Sequence, residues 1–381
     1  MNIFVAGDFA PSYRLAEQIE RTEFDEIFPS NIRDIISGAD YSIVNFESSI
    51  YDRSFKAIKK CGPNLNCPEK SIDALKYAGF KCVTLANNHV LDYGEEGLCK
   101  TIKYCQKLQI DTVGAGKTLN DASTVLYKRI KNEVLGIVNC CEHEFSIATD
   151  KTAGACPLDV INIYKKIVEA RKNATYVLVI VHGGHEHYNL PSLRMQKTYR
   201  FFIEIGADAV VNHHQHCYSG YELHMGKPIF YGIGNFAFER LNGTNKLDAW
   251  NKGYAIILSF DSNKIDYKLY PYIQYASKPS VCIIDNEIEK EEFNNQIRIL
   301  NDIIANPEQL NKKNEDYYNE GSLYEQSLFE PYSSRIMYKL FTLGLLPSFL
   351  SGSKLFSIIN HINCESHRDK VVFSLNRKMK K

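Results

Sequence analysis

Charge of neither sign is in excess in this chain: Lys+Arg and Asp+Glu each number 45 in 381 residues. With no surplus of positive charge and no DNA- or RNA-reading motif, nucleic acid is excluded as a partner. No basic segment followed by an apolar one precedes the first strand-like run, Ile3–Ala6, so no secretory leader is read and the cytoplasm is the expected compartment. There the eleven cysteines are expected as reduced, mostly buried thiols. Cys61 and Cys67 enclose five residues with no second pair to match, which does not fit a zinc ribbon. Gly114-Ala-Gly116-Lys117-Thr118 is not a phosphate loop, because Asp111 stands where that pattern requires glycine. Repeats and low-complexity tracts are absent. What remains is an ordinary globular composition, 44% hydrophobic and 24% charged, with a length that suits one large domain plus an appendage, or two domains.

Several apolar runs stop abruptly on ligand-type residues. Val179–Val181 leads into His182-Gly-Gly-His185-Glu186-His187, and Ala209–Val211 into Asn212-His213-His214-Gln215-His216; these two windows hold six of the eleven histidines. In the same way Ile3–Ala6 leads to Asp8, Tyr41–Val44 to Glu47, and Cys82–Ala86 to Asn87-Asn88-His89. Helical spacing over Pro68–Ala78, at Leu98, Ile102, Cys105 and Leu108, at Val160, Ile163, Ile167 and Ala170, and over Met195–Ile205 places helices between the strands. Tyr176–Val181, the most apolar run, is expected at the centre of a sheet covered on both faces. Ile229–Phe236 reads as one further strand, and Tyr254–Tyr272 as a hairpin about Asp261–Lys264. Strands alternating with helices, then antiparallel strands late, indicate a layered α/β sandwich. In such folds the strand ends gather at one rim, where ligands bind.

Taken singly, the rim residues have bland readings. Asp8 could be a loop-initiating or N-cap aspartate, and Glu47 an exposed glutamate. Two amides and an imidazole after a buried strand resist that reading, since each polar group would need its own partner. Together Asp8, Glu47, Asn88, His182, His214 and His216 form a carboxylate, amide and imidazole set suited to Mn, Fe, Zn or Co rather than to a thiolate-type structural site. Glu47 could bridge two cations, and a pair would activate water and clamp the oxygens of a phosphoryl group. His89, next to Asn88, would then be free to protonate the leaving oxygen.

At this point a resemblance enters. Gly7-Asp8, Asn45-Phe-Glu47, Leu85-Ala-Asn-Asn88-His89-x-x-Asp92-x-Gly94, His182-Gly-Gly-x-Glu186, Gly206-Ala-Asp208 through His214-x-His216, and Tyr231-Gly-Ile-Gly-Asn-Phe236 resemble, in order, the motifs of the CapA family, associated with capsule and poly-γ-glutamate synthesis. That family lies within the calcineurin-like metallophosphoesterase superfamily, and the likeness covers roughly residues 1–240. It implies a four-layer αββα sandwich with one or two divalent metals (Mn, Fe or Zn) at the strand ends. By the resemblance, Asp8, Glu47, Asn88, His182, His214 and His216 match metal-ligand positions and His89 the catalytic histidine. Asp92 accompanies His89 in its motif, and Glu186 fills the family's own glutamate position; both are grouped with His89 as catalytic. His185 and His187 match no ligand position and are expected behind the ligands or at the surface.

Three positions depart from the pattern. Ala10 stands where many superfamily members have histidine, Gly183 where tryptophan is usual, and Gln215 where proline is usual. The N-terminal anchor common in capsule-polymer members is not read here. Two function classes follow: a metal-dependent hydrolase of a phosphoester, or of an amide, in a capsule or poly-γ-glutamate pathway, and a non-catalytic accessory protein that binds an anionic polymer. Six ligand-type residues on separate strands favour the enzyme.

Beyond residue 287 the chain becomes charged and amide-rich, so residues 1–287 are expected as the main domain and 288–381 as a mostly helical appendage, with Glu315–Gly321 as a polar loop. Ile336–Ile362 is apolar but interrupted by Gly344, Pro347 and Gly352 and carries Lys339 and Lys354, which does not fit a membrane span. With the basic end Arg377–Lys381 it suits either docking to a partner or to the inner membrane surface, or packing on the main domain.

Overall fold

The structure, a computed structural model, describes residues 1–60, 62–240, 247–261, 264–275, 278–332, 334–364, 367, 370–372 and 375, with 321–327 and 363 as backbone only. Cys61, the tip of the 261–264 hairpin and the basic end at 377–381 lie outside the described residues.

Two sheets face each other. The eight-stranded sheet runs Val281–Ile283, Lys264–Gln274, Lys252–Asp261, Asn2–Ala10, Tyr41–Phe46, Cys82–Thr84 and Asp111–Val113, with Asn235–Phe238 also on the first strand. The six-stranded sheet runs Tyr221–His224, Lys227–Phe230, Ala209–His213, Tyr176–His182, Glu133–Cys141 and Leu126–Ile130. Period-two alternation sorts the side chains into layers. Ile3 and Val5 meet Leu178, Ile180 and Val211 between the sheets. Phe4 and Ala6 face helices carrying Leu15, Ile32 and Leu75, while Val177, Val179 and Val181 face helices carrying Ile163, Ile167 and Phe202. This is the αββα sandwich, and Tyr176–His182 is buried throughout, as its composition requires.

Three expectations shift. Ile229–Phe236 is two strands, Lys227–Phe230 in one sheet and Asn235–Phe238 in the other; the chain crosses between them through Gly234 at φ +77°, a left-handed conformation that favours glycine. Glu315–Gly321 lies within the helix Pro307–Ser327, whose charged and amide residues show no apolar stripe to announce it. The chain divides into compact units Met1–Asn311 and Lys312–Lys381, later than the change of composition at 287. The reason is the helix Glu287–Ala305: its Phe293 and Ile297 join the core between the sheets, and Leu300 and Ile304 the outer core. In the second unit, Arg335–Thr342 and Gly352–Asn363 are helical. Among the described residues no helix is long and apolar enough to cross a membrane. Seven of the ten described cysteines are buried.

Gly7 sits where the first strand shifts register and the crossing segment returns: a Cβ there would lie 1.9 Å from the Gly234 carbonyl oxygen, which accepts the Asp8 N–H at 3.2 Å. Gly7→Ala is therefore expected to lower unfolding free energy by about 3 kcal/mol, at the upper end of overpacking costs, in urea denaturation; a loss under about 1 kcal/mol would contradict so close an approach.

Candidate metal centre

Within each sheet the parallel strands end at one rim. Asn2–Ala10, Tyr41–Phe46 and Cys82–Thr84 are parallel neighbours in one sheet, as are Glu133–Cys141, Tyr176–His182 and Ala209–His213 in the other. Their ends carry Asp8, Glu47, Asn88, His182, His214 and His216, each at least nine-tenths buried.

The donors converge. Glu47, His182 and His214 each offer an atom within 4.8 Å of the others, as do Asp8, Glu47 and His216. Nε2 of His182 lies 3.5 Å from Oε1 of Glu47, 3.0 Å from Nδ1 of His214 and 3.1 Å from Oδ1 of Asn88. His216 reaches Oδ2 of Asp8 at 3.6 Å through Nδ1 and Oε1 of Glu47 at 3.7 Å through Nε2. Glu47 belongs to both sets, and all six ligand candidates from the sequence come together. Glu186 does too: its exposed carboxylate groups with His214 and His216, so the geometry puts it among the donors.

The electrostatics treat the two carboxylates differently. Asp8 is served as an anion, accepting from Asn45 Nδ2 at 2.7 Å and the His214 N–H at 3.2 Å. Glu47 is not: both oxygens are buried without a hydrogen-bond partner, and burial, with the charges of Asp8 and Glu186, pushes its carboxyl well above the ordinary value. Burial holds the imidazoles of His182 and His216 below theirs, toward the neutral, ligating form. Burial also raises Asp8, but the close approach of His213 and the charges of His213, His182 and His216 outweigh it and lower the carboxyl. That gain requires charged imidazoles, which burial opposes; a cation among the donors satisfies the carboxylates with the rings neutral. The residues therefore fit divalent metal, and the orphaned Glu47 oxygens say so most directly.

His89 stands beside this set. Its Nδ1 lies 2.6 Å from Oδ2 of Asp92, fully buried, which also accepts the Leu65 N–H at 2.5 Å. Lys60, which sequence reasoning passed over, forms an ion pair with Asp92. Three other residues escaped attention. Asn45 braces Asp8; Asn235 fixes His216 by accepting at Oδ1 from its Nδ1, 2.9 Å away; buried His213 has two unpartnered ring nitrogens, with Nδ1 3.4 Å from Asp8. Asn45 and Asn235 stood inside quoted motifs, and His213 inside a histidine run; Lys60 lies outside every motif. Of the two histidines given no ligand role, His187 is exposed with its ring 5.6 Å from that of Trp250, and His185 is half-buried near Tyr188.

The model of the bacterial capsule synthesis protein family PGA_cap matches residues 2–240. The chain belongs to the PGA_cap family. It is 29% identical over 248 residues to the capsule biosynthesis protein CapA of Bacillus anthracis, covering 63% of this chain and 60% of that one. To the PGA biosynthesis protein CapA of Bacillus subtilis (strain 168) it is 32% identical over 239 residues, 61% of this chain and 62% of that one. The chain thus spans about three fifths of these relatives' length. A putative 5'-nucleotidase from Staphylococcus aureus superposes on 78% of this chain and 58% of its own, at a TM-score of 0.46 and 13% identity.

Two of the three departures of this PGA_cap chain have local explanations. At Gly183 a Cβ would lie 2.6 Å from Cγ of Glu142, whose carboxylate accepts the Gly184 N–H at 3.0 Å and pairs with Arg194 at 2.5 Å, leaving no room for a bulky ring. Gln215 donates from Nε2 to the carbonyls of Tyr188 and Leu190 at 2.8 and 3.2 Å, tying the loop after His182 to the rim.

Added Mn²⁺ or Zn²⁺ is expected to raise the melting temperature, since a ligand that binds only the folded state at 100-fold its Kd stabilises by about 2.7 kcal/mol. Glu47→Gln, which keeps the shape and removes the shared charge, should lose most of that shift in thermal denaturation. An undiminished shift would put the cation elsewhere.

Proposed function

We propose that this PGA_cap chain is a metal-dependent hydrolase of phosphoester type acting in capsule or poly-γ-glutamate polymer synthesis. The observation that carries this is the buried Glu47 carboxylate, unpartnered and shared by two donor sets beside an ordered His89–Asp92 pair. Two divalent cations, Mn, Fe or Zn, would be held by Asp8, Glu47, Asn88, His182, His214 and His216, with Glu186 at the exposed side. Such ions supply Lewis acidity, neutralising charge on a phosphoryl group and making water a nucleophile at neutral pH.

The remaining work falls to the chain's own residues. Asp92 accepts the Nδ1 hydrogen of His89, so Nε2 is the nitrogen that carries the second proton of the imidazolium and gives it to the leaving oxygen, the ring ending as the neutral Nδ1–H form. Burial holds the imidazoles of His182 and His216 toward the neutral form, and Asn235 and Asn45 hold His216 and Asp8 in place before substrate arrives.

The test is turnover on a panel of phosphomonoesters and phosphodiesters by the metal-loaded chain. His89→Ala is expected to lower kcat by about 10²- to 10⁴-fold with metal content unchanged. Undiminished turnover would remove His89 from the mechanism. Full metal content with no turnover on any substrate would favour the accessory, polymer-binding reading.

The second unit supports a docking role, toward an anionic lipid surface. Between residues 331 and 364 there is no Asp or Glu, whereas Arg335, Lys339 and Lys354 are present. Exposed Ile336, Leu343, Leu345, Phe349 and Phe356 share this stretch. Apart from Glu330 at its edge, whose carboxylate accepts the Phe349 N–H at 2.8 Å, the charges within this stretch are positive, and apolar side chains set among them match an anionic bilayer interface. The full chain should float with vesicles containing phosphatidylglycerol, and a variant with Ile336, Phe349 and Phe356 changed to Ser should not; equal flotation of both would refute this.

A further inference from the structure

Asp92 is fully buried, and a buried carboxylate lacking a charge partner is strongly destabilising. Its partner is Lys60, whose side chain is 1% exposed and whose ammonium pairs with Oδ1 of Asp92. That ammonium also lies 3.1 Å from Nδ1 of His89 and 5.3 Å from the ring centre of Phe145. Neighbouring residues grip the same aspartate: the Asp92 carbonyl accepts the Ile58 N–H at 3.0 Å and Asn64 Nδ2 at 3.2 Å, and Oδ2 accepts the Leu65 N–H at 2.5 Å. A lysine so deep, set on one carboxylate oxygen while the other serves an imidazole, is a costly arrangement for a solvated loop to keep without use.

Resting on the reading of His89 as proton donor, we propose that Lys60 is a positioning residue that acts through Asp92: by pairing with Oδ1 it orients that carboxylate, and so fixes the tautomer and ring position of His89. A carboxylate paired with an ammonium offers its oxygens only as acceptors. Nδ1 of His89, 2.6 Å from Oδ2, therefore carries the hydrogen, and Nε2 is the nitrogen left for substrate. The ammonium cannot donate to a protonated Nδ1, so its hydrogens are directed at Asp92. Without Lys60, Oδ1 is stranded, and a carboxylate no longer held at that oxygen is free to turn and release the ring.

The measurement is ¹⁵N-histidine NMR of the full chain, with the His89 signal identified by its absence in His89→Ala, alongside steady-state kinetics. At a pH where the ring is neutral, the wild type is expected to show His89 as the Nδ1–H tautomer, and Lys60→Met a mixture or the Nε2–H form. In kinetics Lys60→Met should lower kcat by about 10- to 100-fold, the usual effect of losing a group that orients a functional residue, with KM and metal content nearly unchanged. Lys60→Arg, which keeps the charge, should recover part of kcat, and Lys60→Met should add nothing in the His89→Ala background. An Nε2–H tautomer in the wild type overturns the proposal even if no Lys60 variant folds. So does an unaltered tautomer in Lys60→Met, or a loss confined to KM, which would mark a direct substrate contact. If the wild type turns nothing over, the hydrolase reading fails while the tautomer measurement still decides this one.

Discussion

A carboxylate removed from water with neither oxygen hydrogen-bonded has two remedies, a proton or a cation. Glu47 is in that position, and its surroundings select between them. A single proton would serve a carboxyl in an apolar pocket; around Glu47, His182, His214, His216 and Asp8 instead each present a lone-pair atom, a set that suits a cation. Everything else at the rim is arranged around that requirement. The same residue, taken alone in the sequence, is one glutamate after an apolar run.

The sandwich meets the requirement by bringing the ends of two parallel strand sets together, and by a crossing that few sequences could make. The chain passes from one sheet to the other through Gly234, close enough to Gly7 that no side chain fits between, and delivers Asn235 to the back of His216. His214 and His216 themselves sit at φ 86° and 54°. Left-handed backbone at non-glycine residues costs of order 1–3 kcal/mol each and persists where the surroundings impose it. That two of the donor histidines carry it ties the strain to the site. Local distortion and tight packing converge on the atoms that face Glu47.

Much of this was legible in the sequence, for physical reasons. Runs such as Tyr176–Val181 and Ile3–Ala6 are β-branched and apolar because both faces are covered, so the strands, and the polar residues that end them, stood out. The six ligand candidates were visible because buried strands that stop on imidazoles and carboxylates have no packing explanation. Lys60 was hidden because it lies in irregular chain, where no periodicity says which side chain turns inward and lysine is normally at the surface. His213 was hidden beside two better-placed histidines. Ile229–Phe236 looked like one strand because apolar pattern does not say which sheet a segment joins. The helix Glu287–Ala305 was assigned to the appendage because its polar face dominates its composition, while four apolar residues at helical spacing were enough to bind it to the core.

The central claim is that Glu47 is shared between cations at the meeting of the two sheets. Anomalous diffraction from crystals grown with Mn²⁺ or Zn²⁺, collected at the metal's absorption edge, tests it most directly. The account predicts a pair of peaks on either side of the Glu47 carboxylate, each about 2.0–2.2 Å from a carboxylate oxygen or histidine nitrogen of the rim. A map with no peak near Glu47, or with metal bound only elsewhere on the chain, would contradict it.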